Sequence, residues 1–207
     1  KVYVMSTHGM GDDAAGMRSF EVAEGDVFGD LLSADRIETG RRLKVGLLST
    51  GYFEFWPMYP AMKADVERDA QIVYDRLAQR HDVVDSGLVD TLDTADAAGR
   101  LFRDGQIDML ILAYRTYIPD AYVHQLLSHL PGVPLLLFAS QSRGEFDPAD
   151  DYGGVLRNSG VMALVQLVCG FRQMKDSPRQ TESVAGSIHD DEAYRNIDRY
   201  LHVLTIY

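Results

Sequence analysis

The fold of this chain is decided by an almost continuously apolar stretch near its middle, Ile107-Asp108-Met109-Leu110-Ile111-Leu112-Ala113. An apolar run of this kind is typical of a β-strand that helices cover on both faces. Pro119 follows at a position that suits the first turn of a helix, and the acidic Asp120 lies beside it. The stretch therefore predicts one strand-to-helix unit of a parallel α/β sheet.

The same alternation extends in both directions from this unit. Strands are predicted at 44–49, 82–84, 107–113 and 133–138 and near 171–174. Helices are predicted at 62–77, 92–102, 119–130, 155–169 and 190–204. Parallel strands require crossover connections, and these are right-handed. The pattern therefore predicts a flavodoxin-like, doubly wound parallel sheet of about five strands with helices on both faces.

The sequence changes character at about residue 42. Residues 1–42 contain scattered glycines and acids without a sustained helical period, which predicts an N-terminal extension or interface arm. The regular alternation makes residues 43–207 one flavodoxin-like domain. The apolar ending, Leu204-Thr205-Ile206-Tyr207, resembles the beginning of another strand. We therefore expect catalytic domains downstream of this chain.

Composition limits the classes of partner. The chain has 207 residues, of which 46% are hydrophobic and 25% charged, and its formal net charge is −11. This charge argues against nucleic acid and against an anionic membrane surface, because both would be repelled. Cys169 is the single cysteine, so the composition predicts neither an internal disulfide nor a cysteine zinc cluster. We expect a cytoplasmic protein without a membrane-spanning segment.

Three loops that follow predicted strands carry the candidate binding residues. Five of the 20 aromatic residues fall within residues 52–59, after the first strand. Polar and aromatic residues also follow the third and fourth strands. Aromatic faces suit the C–H surface of a sugar, and amide, hydroxyl or charged groups suit its hydroxyls. The predicted substrate-binding residues are Thr50, Tyr52, Trp56, Arg115, Ser140 and Gln141.

A structural role is the alternative for the same residues. Aromatic side chains in such a loop also cover the end of a sheet or fill a subunit interface. Gln141 equally suits a hydrogen bond that caps its own loop. Glu54, Glu145 and Asp147 lie in the same loops, and solvated surface positions suit them better than contact with a substrate.

Other kinds of site lack their required residues. The sequence contains neither GxxxxGK[ST] nor a GxGxxG after a strand. A phospho-acceptor receiver would need an aspartate at the end of the third strand, where Tyr114 and Arg115 stand instead. The six histidines form neither HxH nor HExxH. We therefore predict no catalytic residue and no metal ligand within this chain.

Several runs, taken together in this order, resemble the N-terminal domain of the L-fucose/L-arabinose isomerase family. They are Lys44-Val45-Gly46-Leu47-Leu48-Ser49-Thr50-Gly51-Tyr52 with Trp56, Val83-Val84-Asp85-Ser86-Gly87-Leu88-Val89-Asp90, Asp108-Met109-Leu110-Ile111-Leu112, Pro134-Leu135-Leu136-Leu137-Phe138-Ala139-Ser140-Gln141 and Asn158-Ser159-Gly160. The resemblance covers residues 43–204. Residues 1–42 have no obvious counterpart in that family.

The resemblance implies aldose–ketose isomerisation of a pentose or deoxyhexose through an enediol. A divalent metal, usually Mn²⁺, polarises the sugar oxygens in that family, and its ligands lie in later domains. The N-terminal domain packs in a homo-oligomer and lends loop residues to a site shared with a neighbouring subunit. Here those would be the loop 50–56 together with Ser140 and Gln141.

Two other functions stay open on the residues alone. One is a stand-alone sugar-binding or regulatory module without catalysis. The other is an oligomerisation domain whose aromatic loop is an interface and which binds no ligand. Replacing Tyr52 and Trp56 by alanine would abolish sugar binding both in an isomerase domain and in a stand-alone sugar-binding module. In an oligomerisation domain the same replacement would alter only assembly.

Overall fold

The computed structural model describes residues 42–144, 148–173 and 180–206, with side chains up to residue 171 in the second range and residue 204 in the third. The predicted extension, residues 1–42, lies outside this part of the chain apart from Arg42. Glu145 and Asp147 of the candidate loops also lie outside it.

A five-stranded, wholly parallel sheet forms the centre of the domain, in the order β2-β1-β3-β4-β5. Its strands are β1 (Lys44–Thr50), β2 (Asp82–Val89), β3 (Met109–Tyr114), β4 (Leu135–Gln141) and β5 (Thr181–Ser187). In register, Leu48 of β1 stands opposite Leu112 of β3, and Leu112 stands opposite Leu137 of β4. Every residue of β3 is buried, as its apolar sequence predicted. The flavodoxin-like α/β fold is thus confirmed.

Seven helices within the described residues connect and cover these strands. They are α1 (Phe55–Met58), α2 (Pro60–Ala78), α3 (Leu92–Gly105), α4 (Asp120–Leu127), α5 (Tyr152–Arg157), α6 (Gly160–Gln173) and α7 (Asp191–Ile206). Helices α3, α4 and α6 share one apolar cluster with alternate residues of the strands, including Leu110 and Leu112. Helices α2 and α7 share the other with Met109 and Ile111. The core therefore has two layers, one on each face of the sheet.

The position of the fifth strand was predicted wrongly. Residues 171–173 belong to the end of α6, and β5 begins ten residues later, at Thr181. Ala163, Leu167 and Phe171 recur at a spacing of four and pack on the core, so the helical period continues through the predicted strand. β5 lies at the edge of the sheet and consists mostly of small and polar residues, which made it hard to recognise.

Two further expectations are corrected. The predicted helix 155–169 is two helices, because Asn158 and Ser159 leave the helical path and bind neighbouring loops through their side chains. The apolar ending is not a strand, since Leu204–Ile206 form the last turn of α7. Ile197, Leu201 and Leu204 pack on the core at helical spacing.

The chain order creates a switch point at the carboxyl edge of the sheet. From β1 the chain moves to β2 on one side, and from β2 it crosses to β3 on the other side of β1. The loops after β1 and β3 therefore leave in opposite directions and open a crevice between them, where α/β proteins bind their ligands. Among the described helices, none has both the length and the apolar character that a membrane crossing requires.

Candidate functional site

Thr50 joins the two loops that border the switch point. It is the last residue of β1 and is fully buried. Its hydroxyl donates a hydrogen bond to the carbonyl of Thr116 over 2.9 Å and accepts one from the backbone N–H of Arg115 over 3.1 Å. Both partners belong to the loop after β3. Thr50 therefore holds the crevice in shape, and its hydroxyl is not directed at solvent.

Ser140 joins β3 and β4 through a side-chain hydrogen bond, as Thr50 joins the loops. Its buried hydroxyl donates to the carbonyl of Tyr114 over 3.0 Å. Gln141, the last residue of β4, is half-buried, and its backbone carbonyl accepts from Ile188 over 2.9 Å. Both residues stand at the carboxyl edge, as predicted. Ser140 stabilises that edge, whereas Gln141 is partly accessible to a ligand.

A group of aromatic rings lies at the crevice; we call Tyr52, Phe53, Phe55 and Tyr117 the aromatic rim. Tyr52 contacts each of the other three edge to face, with ring centroids 5.5, 5.2 and 5.9 Å away, respectively. The contact with Tyr117 joins the loop after β1 to the loop after β3. Phe53 remains 43% exposed. The rim therefore presents apolar ring surface at the switch point.

The phenol of Tyr52 keeps its proton at neutral pH. Desolvation raises its pKa above the usual value, and a hydrogen bond to Glu54 and the charge of that carboxylate raise it further. Because the phenol donates its proton to Glu54, the phenol oxygen and the other lone pairs of the carboxylate are left as acceptors. Hydroxyl groups of a ligand can donate to both.

Trp56 stabilises the loop after β1 through contacts with Asp90 and Gly51. Its indole N–H donates to Oδ2 of Asp90 over 2.8 Å. The ring lies so close to Gly51 that a Cβ at that glycine would come within 2.7 Å of it. For Trp56 the structure therefore favours the structural interpretation of the aromatic loop. Tyr117 belongs to the aromatic rim, although it was not among the predicted binding residues.

Arg115 is a buried cation at the end of β3. Its side chain is 2% exposed, and Nη1 donates to the carbonyl of Ser140 over 3.0 Å. Nη2 is also buried and has no hydrogen-bond partner among the described residues. Burial lowers its pKa to about 10, although the nearby carboxylate of Asp69 acts in the opposite direction. Arg115 is therefore charged at neutral pH.

Sequence reasoning missed a polar cluster beside Arg115, formed by Asp65 and Asp69 of α2, Ser142 after β4 and Arg157 of α5. Arg157 donates to Asp69 over 2.7 Å and to Asp65 over 3.2 Å, and Ser142 also donates to Asp69. Asp69 is buried between Val66 and Val73 on the apolar side of α2. A carboxylate within an apolar helical stripe was the signal that could have revealed this cluster.

The Mn²⁺ that the resemblance implies would be held by later domains, and its ligands are not expected within the described residues. No group of three or more His, Cys, Asp or Glu side chains in this part of the chain is placed to hold a metal ion. Asp65 and Asp69, the acids of the polar cluster, are both bound to Arg157. We therefore assign the described residues no metal-dependent step.

Together these groups suit the recognition of a small polar molecule. Aromatic surface, a phenol with a carboxylate, an amide and a buried guanidinium all stand at one edge of the sheet. Such groups can bind a ligand and orient it.

Comparison with known proteins identifies no relative. No protein-family model matches the chain, and no curated protein sequence is similar to it. The resemblance to the L-fucose/L-arabinose isomerase family therefore stays a prediction.

Proposed function

We propose that this chain binds a monosaccharide, or a sugar derivative of similar size, at the carboxyl edge of its sheet. We propose further that it acts as the substrate-lending domain of a cytoplasmic aldose–ketose isomerase. The metal-assisted enediol chemistry would then lie with residues outside the described part. The domain itself would hold the sugar chain and keep water from one of its faces.

The observation that carries the proposal is the contact between Tyr52 and Tyr117 across the switch point. It brings aromatic surface from two loops to the place where this fold class binds ligands. A sugar ring or open chain has apolar C–H faces that pack on such rings, while its hydroxyls need donors and acceptors. The Tyr52–Glu54 pair and the amide of Gln141 supply the polar groups.

Titration calorimetry with L-fucose, L-arabinose and D-arabinose tests the proposal. We expect saturable binding of at least one of these sugars, with an affinity that Mn²⁺ changes less than twofold. Tyr52→Ala should weaken binding about tenfold, equivalent to roughly 1.4 kcal/mol, because the sugar loses its central ring contact. Tyr152→Ala is the matched control, since Tyr152 is 68% exposed on α5 and outside the rim.

Two results would contradict the proposal. One is the absence of binding to any sugar of the panel. The other is an equal effect of the Tyr52 and Tyr152 substitutions, because the rim would then make no particular contact with the sugar.

A specific observation also favours self-association. Val161, Met162 and Val165 are exposed on one side of α6, and Cys169 is exposed one turn further along. We call these four residues the α6 stripe. It bears no charged side chain, so two copies of this acidic chain can approach through it with little repulsion. We therefore propose that the domain forms a homo-oligomer through the α6 stripe.

A further inference from the structure

Arg115 carries hydrogen-bonding capacity that the described chain does not use. Its Nη2 has two N–H groups, is buried, and has no acceptor among the described residues. Within the described part of the chain, the guanidinium donates to a neutral carbonyl, that of Ser140. A buried arginine is ordinarily bound directly to a carboxylate or another anion, because an unpaired charge is costly to bury.

A second unused polar group, the hydroxyl of Ser49, lies on the same face of the sheet as the guanidinium of Arg115. This hydroxyl is buried and lacks a partner among the described residues. Val45 and Leu47 of β1 face α2 and α7, so alternation places Ser49 on that face as well. Asp69 of α2 and Tyr194 of α7 act electrostatically on Arg115, which places its guanidinium there too. Ser49 stands opposite Ala113 of β3, two residues before Arg115.

Asp69 is not available to Arg115 alone. It acts electrostatically on Arg115, but Arg157 donates to it over 2.7 Å, so two guanidinium groups share this carboxylate. Arg157 also binds Asp65. The two arginines and two aspartates balance in charge, yet neither carboxylate accepts a hydrogen bond from Nη2 of Arg115. Unused guanidinium donors of this kind suit the carboxylate of a ligand.

We propose that this face of the carboxyl edge binds the carboxylate of a polyhydroxy acid, so that the ligand of the domain is a sugar acid. This inference rests on the proposed function and names its substrate class. Arg115 donates to the carboxylate through Nη2, and the hydroxyl of Ser49 donates to the same group. The aromatic rim and Gln141 hold the polyhydroxy chain. Aldose–ketose isomerisation of a uronic acid leaves this carboxylate unchanged.

Because Arg115 is buried, groups around it must move before a ligand can reach it. Its side chain is 2% exposed, so a carboxylate reaches it only after neighbouring groups shift. Ser142 follows β4 directly and is held to Asp69 and Arg157 by hydrogen bonds. These hydrogen bonds must break before Ser142 can move away from the cluster. Association should therefore be slower than the encounter of the two molecules.

Titration calorimetry with sodium D-galacturonate, D-galactose and sodium acetate tests this inference. Galacturonate and galactose differ in the oxidation of one carbon, so their ratio of affinities isolates the carboxylate. We expect galacturonate to bind at least tenfold more tightly than galactose, and acetate to bind more weakly than galacturonate. Arg115→Met should bring the galacturonate-to-galactose ratio to about one.

The control is Arg199→Met, which removes the same charge from an exposed position on α7 and should leave the ratio unchanged. Arg115→Lys keeps the charge without the guanidinium geometry and should retain part of the preference. Thermal melting followed by circular dichroism establishes that each variant is folded.

The outcomes separate this inference from the proposed function. Equal binding of galacturonate and galactose overturns the carboxylate site and leaves sugar binding standing. A preference that survives Arg115→Met also overturns it, as does acetate binding as tight as that of galacturonate. If Arg115→Met removes the galacturonate preference while Tyr52→Ala leaves the affinities for both galacturonate and galactose unchanged, the carboxylate site is supported and the role of the rim is contradicted.

Discussion

At the scale of single residues, the carboxyl edge is organised by side chains whose partners are distant in sequence. Asp69 illustrates this best. It is nearly fully buried, and both Arg157, 88 residues later, and Ser142, 73 residues later, donate to it. Its charge is thus compensated only when α2, the loop after β4 and α5 are assembled. The carboxylate therefore couples these three elements.

Asp69→Asn tests this coupling. The amide keeps the size of the side chain but leaves Arg157 with a weaker acceptor and removes a buried negative charge. We expect the free energy of unfolding to fall by about 2–4 kcal/mol, measured by urea denaturation. Asp75→Asn on the same helix is the control, because Asp75 is exposed and accepts a hydrogen bond from Gln71, and it should change stability by less than about 0.5 kcal/mol. Similar losses in both variants would refute the coupling.

At the scale of elements, α6 owes its place to the lack of a side chain at Gly160. A Cβ there would lie 2.3 Å from the carbonyl oxygen of Tyr114, which is backbone and cannot move aside easily. The glycine therefore lets the start of α6 lie directly against the end of β3. Gly170 lies near the other end of the same helix, where a Cβ would meet nothing closer than 3.7 Å.

These two glycines make a matched pair of substitutions. Gly160→Ala should destabilise the domain by about 1–3 kcal/mol, because the helix must shift away from β3. Gly170→Ala should stabilise it by about 0.5–1 kcal/mol, because alanine favours the helix and has space. Chemical denaturation of the two variants measures both. The close packing of α6 would be disproved if Gly160→Ala were as stable as the unaltered chain.

Helix α3 shows how local sequence sets an element boundary. Thr91 accepts a hydrogen bond from the backbone N–H of Thr94, and the hydroxyl of Thr94 accepts one from the backbone N–H of Thr91. This reciprocal capping box satisfies donors that the first helical turn leaves free.

Thr91→Ala should therefore lower the free energy of unfolding by about 1 kcal/mol. Thr91→Ser should retain most of the stabilisation by the cap, because serine supplies the same acceptor. Urea denaturation of the pair distinguishes loss of the cap from loss of the methyl group. Equal destabilisation by alanine and serine would argue against capping.

At the scale of the whole molecule, the carboxyl edge of the sheet and the α6 stripe are two separate surfaces of different chemical character. The carboxyl edge gathers polar groups and aromatic rings, whereas the α6 stripe exposes apolar side chains, with Met162 67% exposed. Assembly through the stripe would leave the crevice at the carboxyl edge available to a neighbouring subunit's ligand. Binding and assembly are then separable properties of the same domain.

Met162→Glu should shift the chain toward the monomer in sedimentation-velocity experiments, because each copy would bury a charge at the interface. Leu101→Glu introduces the same charge at an exposed apolar position on α3 and should leave the distribution unchanged. A chain that is monomeric at high concentration before any substitution would refute assembly through the stripe.

The sequence by itself determined the class of the fold and placed the candidate binding residues at the carboxyl edge of the sheet. Its apolar runs predicted β1, β3 and β4, and its helical stripes predicted α2, α3 and α4, because burial on one or both faces leaves a local periodic pattern. The polar and aromatic loops after these strands also correctly marked the carboxyl edge. Where the local pattern was weak, as in the edge strand β5, prediction was wrong.

Only the tertiary structure decided what each residue does at that edge. Thr50 and Ser140 proved to hold loops together, Trp56 to brace the first loop, and Asp69 to form the centre of a polar cluster. Their partners lie 26 to 88 residues away. The physical reason is that periodicity records whether a side chain is buried, whereas its hydrogen-bond partner depends on which strands and helices become neighbours in space.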